Sequence, residues 1–114
     1  MKYIFKGIKQ AHYYFGFPGS YRHGSVIINN LIVRTYSNGK KDLDKFITNN
    51  LFQYEIKNKK IRDAFLNNLQ QSIVVHLFVK IEDLVVYFGK CQIKEVNNEI
   101  AIFKIKGSKF ILEN

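Results

Sequence analysis

Cysteine occurs once in these 114 residues, proline once, methionine once and tryptophan not at all. The single thiol, Cys91, can close no intramolecular disulfide and has no second cysteine with which to frame a thiolate metal site. That usage suits a reducing compartment, and the expectation is a cytoplasmic protein. Long apolar runs are missing as well. Lys2, Lys6 and Lys9 interrupt the N-terminal segment, which breaks any signal-peptide core, and no stretch approaches the roughly 18 apolar residues of a membrane span. The most telling gap is in acidic residues. Between residues 1 and 41 stand Lys2, Lys6, Lys9, Arg22, Arg34, Lys40 and Lys41 without one Asp or Glu.

The chain as a whole carries 18 basic against nine acidic residues, a net charge of +9, of which +7 falls in those first 41 residues. Abundant Asn, Ile and Lys can reflect a compositional bias, but such a bias does not remove acids from a third of a chain. A polyanion partner is the expectation. The length fits one domain, residues 1–114, with a real core. Ten Phe and seven Tyr, with many Ile and Val, suit pleated, half-buried surfaces.

Strands are expected at 2–6, 25–28, 31–36, 51–57, 73–81, 84–89 with a continuation or bulge through 90–96, and 99–106. Ala11 to Phe15 reads as a further strand or a loop buttress. Leu43, Phe46 and Ile47 recur at helical spacing and predict a short helix over 42–49, with Asp42 at its first turn. Ile61, Ala64, Phe65 and Leu69 predict a second over 61–71. The class is α+β and β-rich, a curled antiparallel sheet or open pseudo-barrel with two short helices.

No chemistry-bearing frame is legible. His12, His23 and His76 lie too far apart for a zinc frame, and a Cys91–His76 pair falls on two apolar strands where an inert thiol is the better reading. Gly16-Phe17-Pro18-Gly19 is neither a Walker A loop nor a dinucleotide fingerprint. No cofactor, metal or catalytic residue is expected. What remains is basic, polar loops on stiff strands. Three glycines and the one proline constrain the loop from Gly16 to Gly24, which carries Ser20, Tyr21, Arg22 and His23. Arg22 has the fork for a guanine edge and Asn38 the amide for an adenine edge, while Lys40, Lys41, Lys57, Lys59 and Lys60 suit phosphates. Arg34, on the strand after the loop, joins this DNA-binding set.

The order of elements from Lys59 to Val96 resembles the DNA-recognition domains of some bacterial restriction systems. A helix closes on Asn67-Asn68-Leu69-Gln70-Gln71-Ser72, an apolar strand follows around Val75-His76-Leu77-Phe78, and a second ends in Val85-Val86-Tyr87-Phe88-Gly89. The relatives so implied are pseudo-barrels of the SRA and plant B-three types, including those at the N-terminus of McrB-like restriction subunits of the LlaJI type. The resemblance implies duplex DNA as partner, loop 16–24 as one reading arm and the segment 57–60 as a second. It further implies a fragment of a longer restriction subunit, with an AAA+ motor and a nuclease fused or in partner subunits. A competing reading is a reader of RNA or modified bases of the PUA or EVE type, with Tyr13, Tyr14, Phe17 and Tyr21 eligible for an aromatic cage.

Overall fold

The computed structural model describes residues 3–29, 31–67 and 73–106. In chain order the elements are β1 (Tyr3–Phe5), α1 (Ile8–Phe15), β2 (Ser25–Asn29), β3 (Ile32–Ser37), β4 (Lys45–Thr48), β5 (Leu51–Glu55), α2 (Lys59–Asn67), β6 (Val74–Ile81), β7 (Leu84–Val96) and β8 (Ile100–Ile105). The strands form one sheet in the order β2-β3-β6-β7-β8-β5-β4, with β1 paired to the first half of β7. All pairings are antiparallel except β3 with β6. The sheet is therefore mixed, which corrects the wholly antiparallel form of the expectation and leaves the open pseudo-barrel with two short helices standing.

The long strand β7 serves both halves of the sheet because it changes face midway. Val86 and Phe88 point into the main core, and so does Cys91, three residues on rather than two. A bulge at Gly89, whose φ is +89°, supplies the extra residue against β6. Main-core residues come from alternate positions of facing strands: Phe52 and Tyr54 on β5, Val75, Leu77 and Val79 on β6, and Ala101, Phe103 and Ile105 on β8. Helix α2 adds buried Ile61 and Phe65, with Phe65 edge-on to Phe103. On the outer face, α1 lays Ala11 over Phe5, Phe78 and Val85 within a ring-rich cluster.

Two elements differ from expectation. Ala11 to Phe15 belongs to a helix, because Ile8, Ala11, His12 and Phe15 share a face that packs on β1 and β7, and left-handed Gly16 terminates it. The segment 42–49 is not a helix. Its Phe46 pairs opposite Phe52 and the hairpin turns at Thr48 and Asn50, leaving β4 as a short exposed edge. The stretch 68–72, expected to finish α2, lies outside the described residues.

His12 is buried with its Nε2 unpartnered, and His76 is half-buried with Nδ1 2.8 Å from the Tyr87 hydroxyl. Burial lowers both imidazoles below 6.5, aided by Arg34 at His12 and by Lys90 at His76. Well above pH 6.5 both histidines are neutral, folded or unfolded, and their burial costs no stability. Below it the unfolded chain takes up protons that the folded one resists, so stability falls. Melting temperatures measured downward through this range should decline, and replacing His12 and His76 by Phe should flatten the decline.

Candidate nucleic-acid interface

The curl of the sheet brings β2 and β5, remote in strand order, within hydrogen-bond reach. Ser25 Oγ donates to the Tyr54 hydroxyl at 2.9 Å and lies 3.2 Å from Thr35 Oγ1. Along the same seam Asp44 ties β3 to β5. Its carboxylate accepts from Ser37 Oγ at 2.6 Å and from the Glu55 backbone N–H at 2.7 Å. Burial raises the Asp44 carboxyl despite these bonds. Asn58 caps α2, its Oδ1 accepting from the N–H groups of Lys60 and Ile61 at 2.8 and 3.3 Å.

A cleft of about 410 Å³ opens on this seam. Four stretches of chain meet there: Arg22 to Ser25, Tyr36 to Lys41, Tyr54 to Asn58, and Ile61 on α2. Its volume lies in the range of small-molecule sites. Arg22, Lys41 and Lys57 bring positive charge to it, and none of its lining residues is acidic. Two of these cations are paired with Glu55, whose Oε2 sits 3.1 Å from Lys57 Nζ and 4.0 Å from Lys41 Nζ. A smaller cleft of about 230 Å³ continues from it past Ser20, His23 and Lys60.

Of the residues singled out by sequence, Arg22, His23, Asn38, Lys41 and Lys57 thus line one cleft, and Ser20 and Lys60 its neighbour. The two arms read separately in the sequence, loop 16–24 and segment 57–60, face one another. Lys40 and Lys59 are exposed beyond the lining. Tyr21 leans back on α1, edge-on to His12, with Lys9 Nζ and Arg22 Cζ each 5.8 Å from its ring centre. The Arg22 side chain holds the Tyr21 hydroxyl below the usual tyrosine range. Tyr13 and Tyr14 are exposed on α1, whereas Phe17 stacks on Phe15 and packs against His76. Those rings and Tyr21 do not assemble into one cage.

Arg34 is corrected. It is wholly buried and cannot touch a ligand directly. β3 is covered on both faces, Val33 facing the main core and Arg34 lying under the loop. Its Nη1 donates to the carbonyls of His23 and Gly24 at 2.9 and 3.4 Å, and its Nη2 to that of Ser20 at 3.0 Å. Burial pulls the guanidinium down to about 10, nearby Tyr54 and Tyr36 opposing. Arg34 is therefore a positioning residue that hooks the segment carrying Arg22 and His23 onto β3.

The sequence marked Gly24 as holding the loop's shape and gave no signal of a site at Ser25, Tyr36 or Tyr54. Gly24 does not adopt a positive φ. It is glycine because an added Cβ would sit 2.8 Å from the Tyr54 hydroxyl. Tyr54 and Tyr36 supply aromatic wall, and burial raises both hydroxyls. Their position on alternating strands marked them only as core.

Among the described residues the strands form an unclosed, curled eight-stranded sheet, with one helix set into its core and one on its outer face, a pseudo-barrel. Among solved structures, the SRA domain of SUVH5 in complex with hemimethylated CG DNA is similar to this chain with a TM-score of 0.68. Sequence identity is 13%, over 94% of this chain and 89% of that one. No family model matches the chain, and neither does any curated protein.

Proposed function

We propose that this chain is a duplex-DNA recognition module that holds a base turned out of the helix in the seam cleft. The observation that carries this reading is the convergence of Arg22, Lys41 and Lys57 with Tyr36 and Tyr54 around an acid-free cleft of base-accommodating size. The fold supports it, since the solved neighbour of the same architecture was captured on hemimethylated DNA. Arg22, His23 and Asn38 meet the base from the cleft wall, Lys41 and Lys57 stand on that wall within reach of the base and of the phosphates that flank it, and Ser20, Lys40, Lys59 and Lys60 take phosphates on either side. Arg34 contributes by fixing the loop. The chemistry of cleavage resides elsewhere, in the motor and nuclease of a restriction system to which this module supplies target recognition. The resemblance of segment 59–96 to such systems supports that context.

The test is duplex binding by fluorescence anisotropy across salt concentrations. Affinity should fall by about 10³-fold between about 50 and 200 mM salt if about six phosphates are neutralised. A flat response, or tighter binding to single-stranded RNA of the same sequence, would remove duplex DNA as the partner.

A further inference from the structure

No acidic side chain lines the cleft, and several of its acceptors are already engaged. Asn38 Oδ1 already accepts from the Lys40 N–H at 2.9 Å, and Asn58 Oδ1 accepts from two helix N–H groups. Each amide thus presents its NH2 donors, with one further lone pair left on Asn38 Oδ1. The carbonyls of Ser20, His23 and Gly24 are engaged by Arg34, and Gly24 also receives the Tyr36 N–H. Lys41 and Asn58 carbonyls accept from Asp44 and Arg62 N–H groups at 3.1 and 3.0 Å. Behind the lining, Asp44 is held between Ser37 and the Glu55 N–H, while Glu55 Oε2 is buried without a hydrogen bond and is paired by charge with Lys57 at 3.1 Å and Lys41 at 4.0 Å. Arg22, Lys41, Lys57 and the two amides therefore face the cleft as donors. The Tyr36 and Tyr54 hydroxyls and the His23 ring can act either way, whereas Ser25 has given its O–H to Tyr54 and is left to accept.

From this donor-rich wall we infer that the cleft selects a base with an oxygen edge, a 4-oxopyrimidine or a 6-oxopurine without a 2-amino group, over amino bases, 5-methylcytosine included. The inference rests on the reading of the cleft as the seat of an extruded base. A carbonyl oxygen brought here meets several N–H groups, and the single ring N–H of such a base can be met by a hydroxyl or by His23. An exocyclic amino group faces those same cations and amides and finds an acceptor only in a hydroxyl, the His23 ring or the spare lone pair of Asn38 Oδ1, so the excess of donors disfavours it.

The experiment uses the full chain and duplexes identical except at one position, where uracil, thymine, hypoxanthine, cytosine, 5-methylcytosine or adenine stands opposite an abasic site. That pairing makes the work of extrusion similar for all. A further duplex lacks the base altogether. The three oxo bases should bind at least about tenfold more tightly than the three amino bases. Asn38→Asp, which exchanges a donor for an acceptor while keeping an oxygen for Lys40, should shrink or reverse that ratio. Cytosine or 5-methylcytosine binding as tightly as uracil and thymine overturns the inference, as does an oxo preference that Asn38→Asp leaves untouched. If all bases bind alike but better than the base-free duplex, the inference alone falls. If the base-free duplex binds equally well, the extruded-base reading falls with it.

Discussion

Arg34→Met should lower the melting temperature by about 10 to 20 °C and weaken duplex binding beyond what the loss of folded protein explains. Two effects compete at this site. Removing a guanidinium that has been taken out of water without a carboxylate beside it relieves a desolvation penalty, visible in its descent to about 10. Against that, three loop carbonyls lose a charged donor. Hydrogen bonds to charged groups are worth about 1.5 to 3 kcal/mol each, and carbonyls left behind in a closed space incur a further penalty. The second effect is larger, for a net loss of about 3 kcal/mol, which at this chain length corresponds to the stated shift. Arg34→Lys should recover little of it, because one ammonium cannot span Ser20 on one side and His23 on the other as the planar fork does. Thermal melts and anisotropy on the same preparations check both halves. A folded, wild-type-like Arg34→Met protein with unchanged DNA binding would show that the loop needs no anchor.

Gly24→Val should reduce duplex affinity by about 10- to 100-fold while leaving most of the fold intact. The first added carbon already falls 2.8 Å from the Tyr54 hydroxyl, and the two methyls extend into the same space. Either Tyr54 withdraws and gives up its bond from Ser25, or the loop lifts and carries Arg22 and His23 away from the cleft. In both cases an extruded base loses contacts worth about 1 to 3 kcal/mol, the stated range. Phosphate contacts survive, so the salt dependence should stay close to that of the unaltered protein. A steeply altered salt dependence would place the damage in the phosphate contacts instead.

The strands were legible wherever one face is buried, because alternation then has a physical cause: Phe52 and Tyr54 inward, Gln53 and Glu55 less so. The Gly89 bulge was legible as an interruption of that alternation. What escaped were elements whose context is not local. Leu43, Phe46 and Ile47 have helical spacing, but Phe46 is drawn into a strand by Phe52 and Phe88, and Asp44 is spent on tying β3 to β5. The Asn49-Asn50 pair was the available signal for a hairpin there, as Asn97-Asn98 is before β8. Helix α1 was hidden by aromatic residues of high strand preference, although Ile8, Ala11 and Phe15 followed by Gly16 carry a helix and its stop. The parallel pairing of β3 with β6 joins residues far apart in sequence, and no local pattern encodes it. The site was legible in part: the basic loop and the 57–60 segment stood out by composition. Their meeting in one cleft, and the inward turn of Arg34, depend on the curl of the sheet.

The most direct test of the central claim places 2-aminopurine opposite the target base in a duplex and follows its fluorescence as the protein is added. Extrusion of the target removes its pairing and loosens the stack around the reporter. The account predicts a saturable rise in fluorescence that tracks binding, is retained when the reporter duplex is saturated at low salt, and is strongly reduced for Gly24→Val under the same saturation. Tight, saturable binding with no change in fluorescence would contradict it, leaving a protein that grips duplex DNA without drawing a base into the cleft.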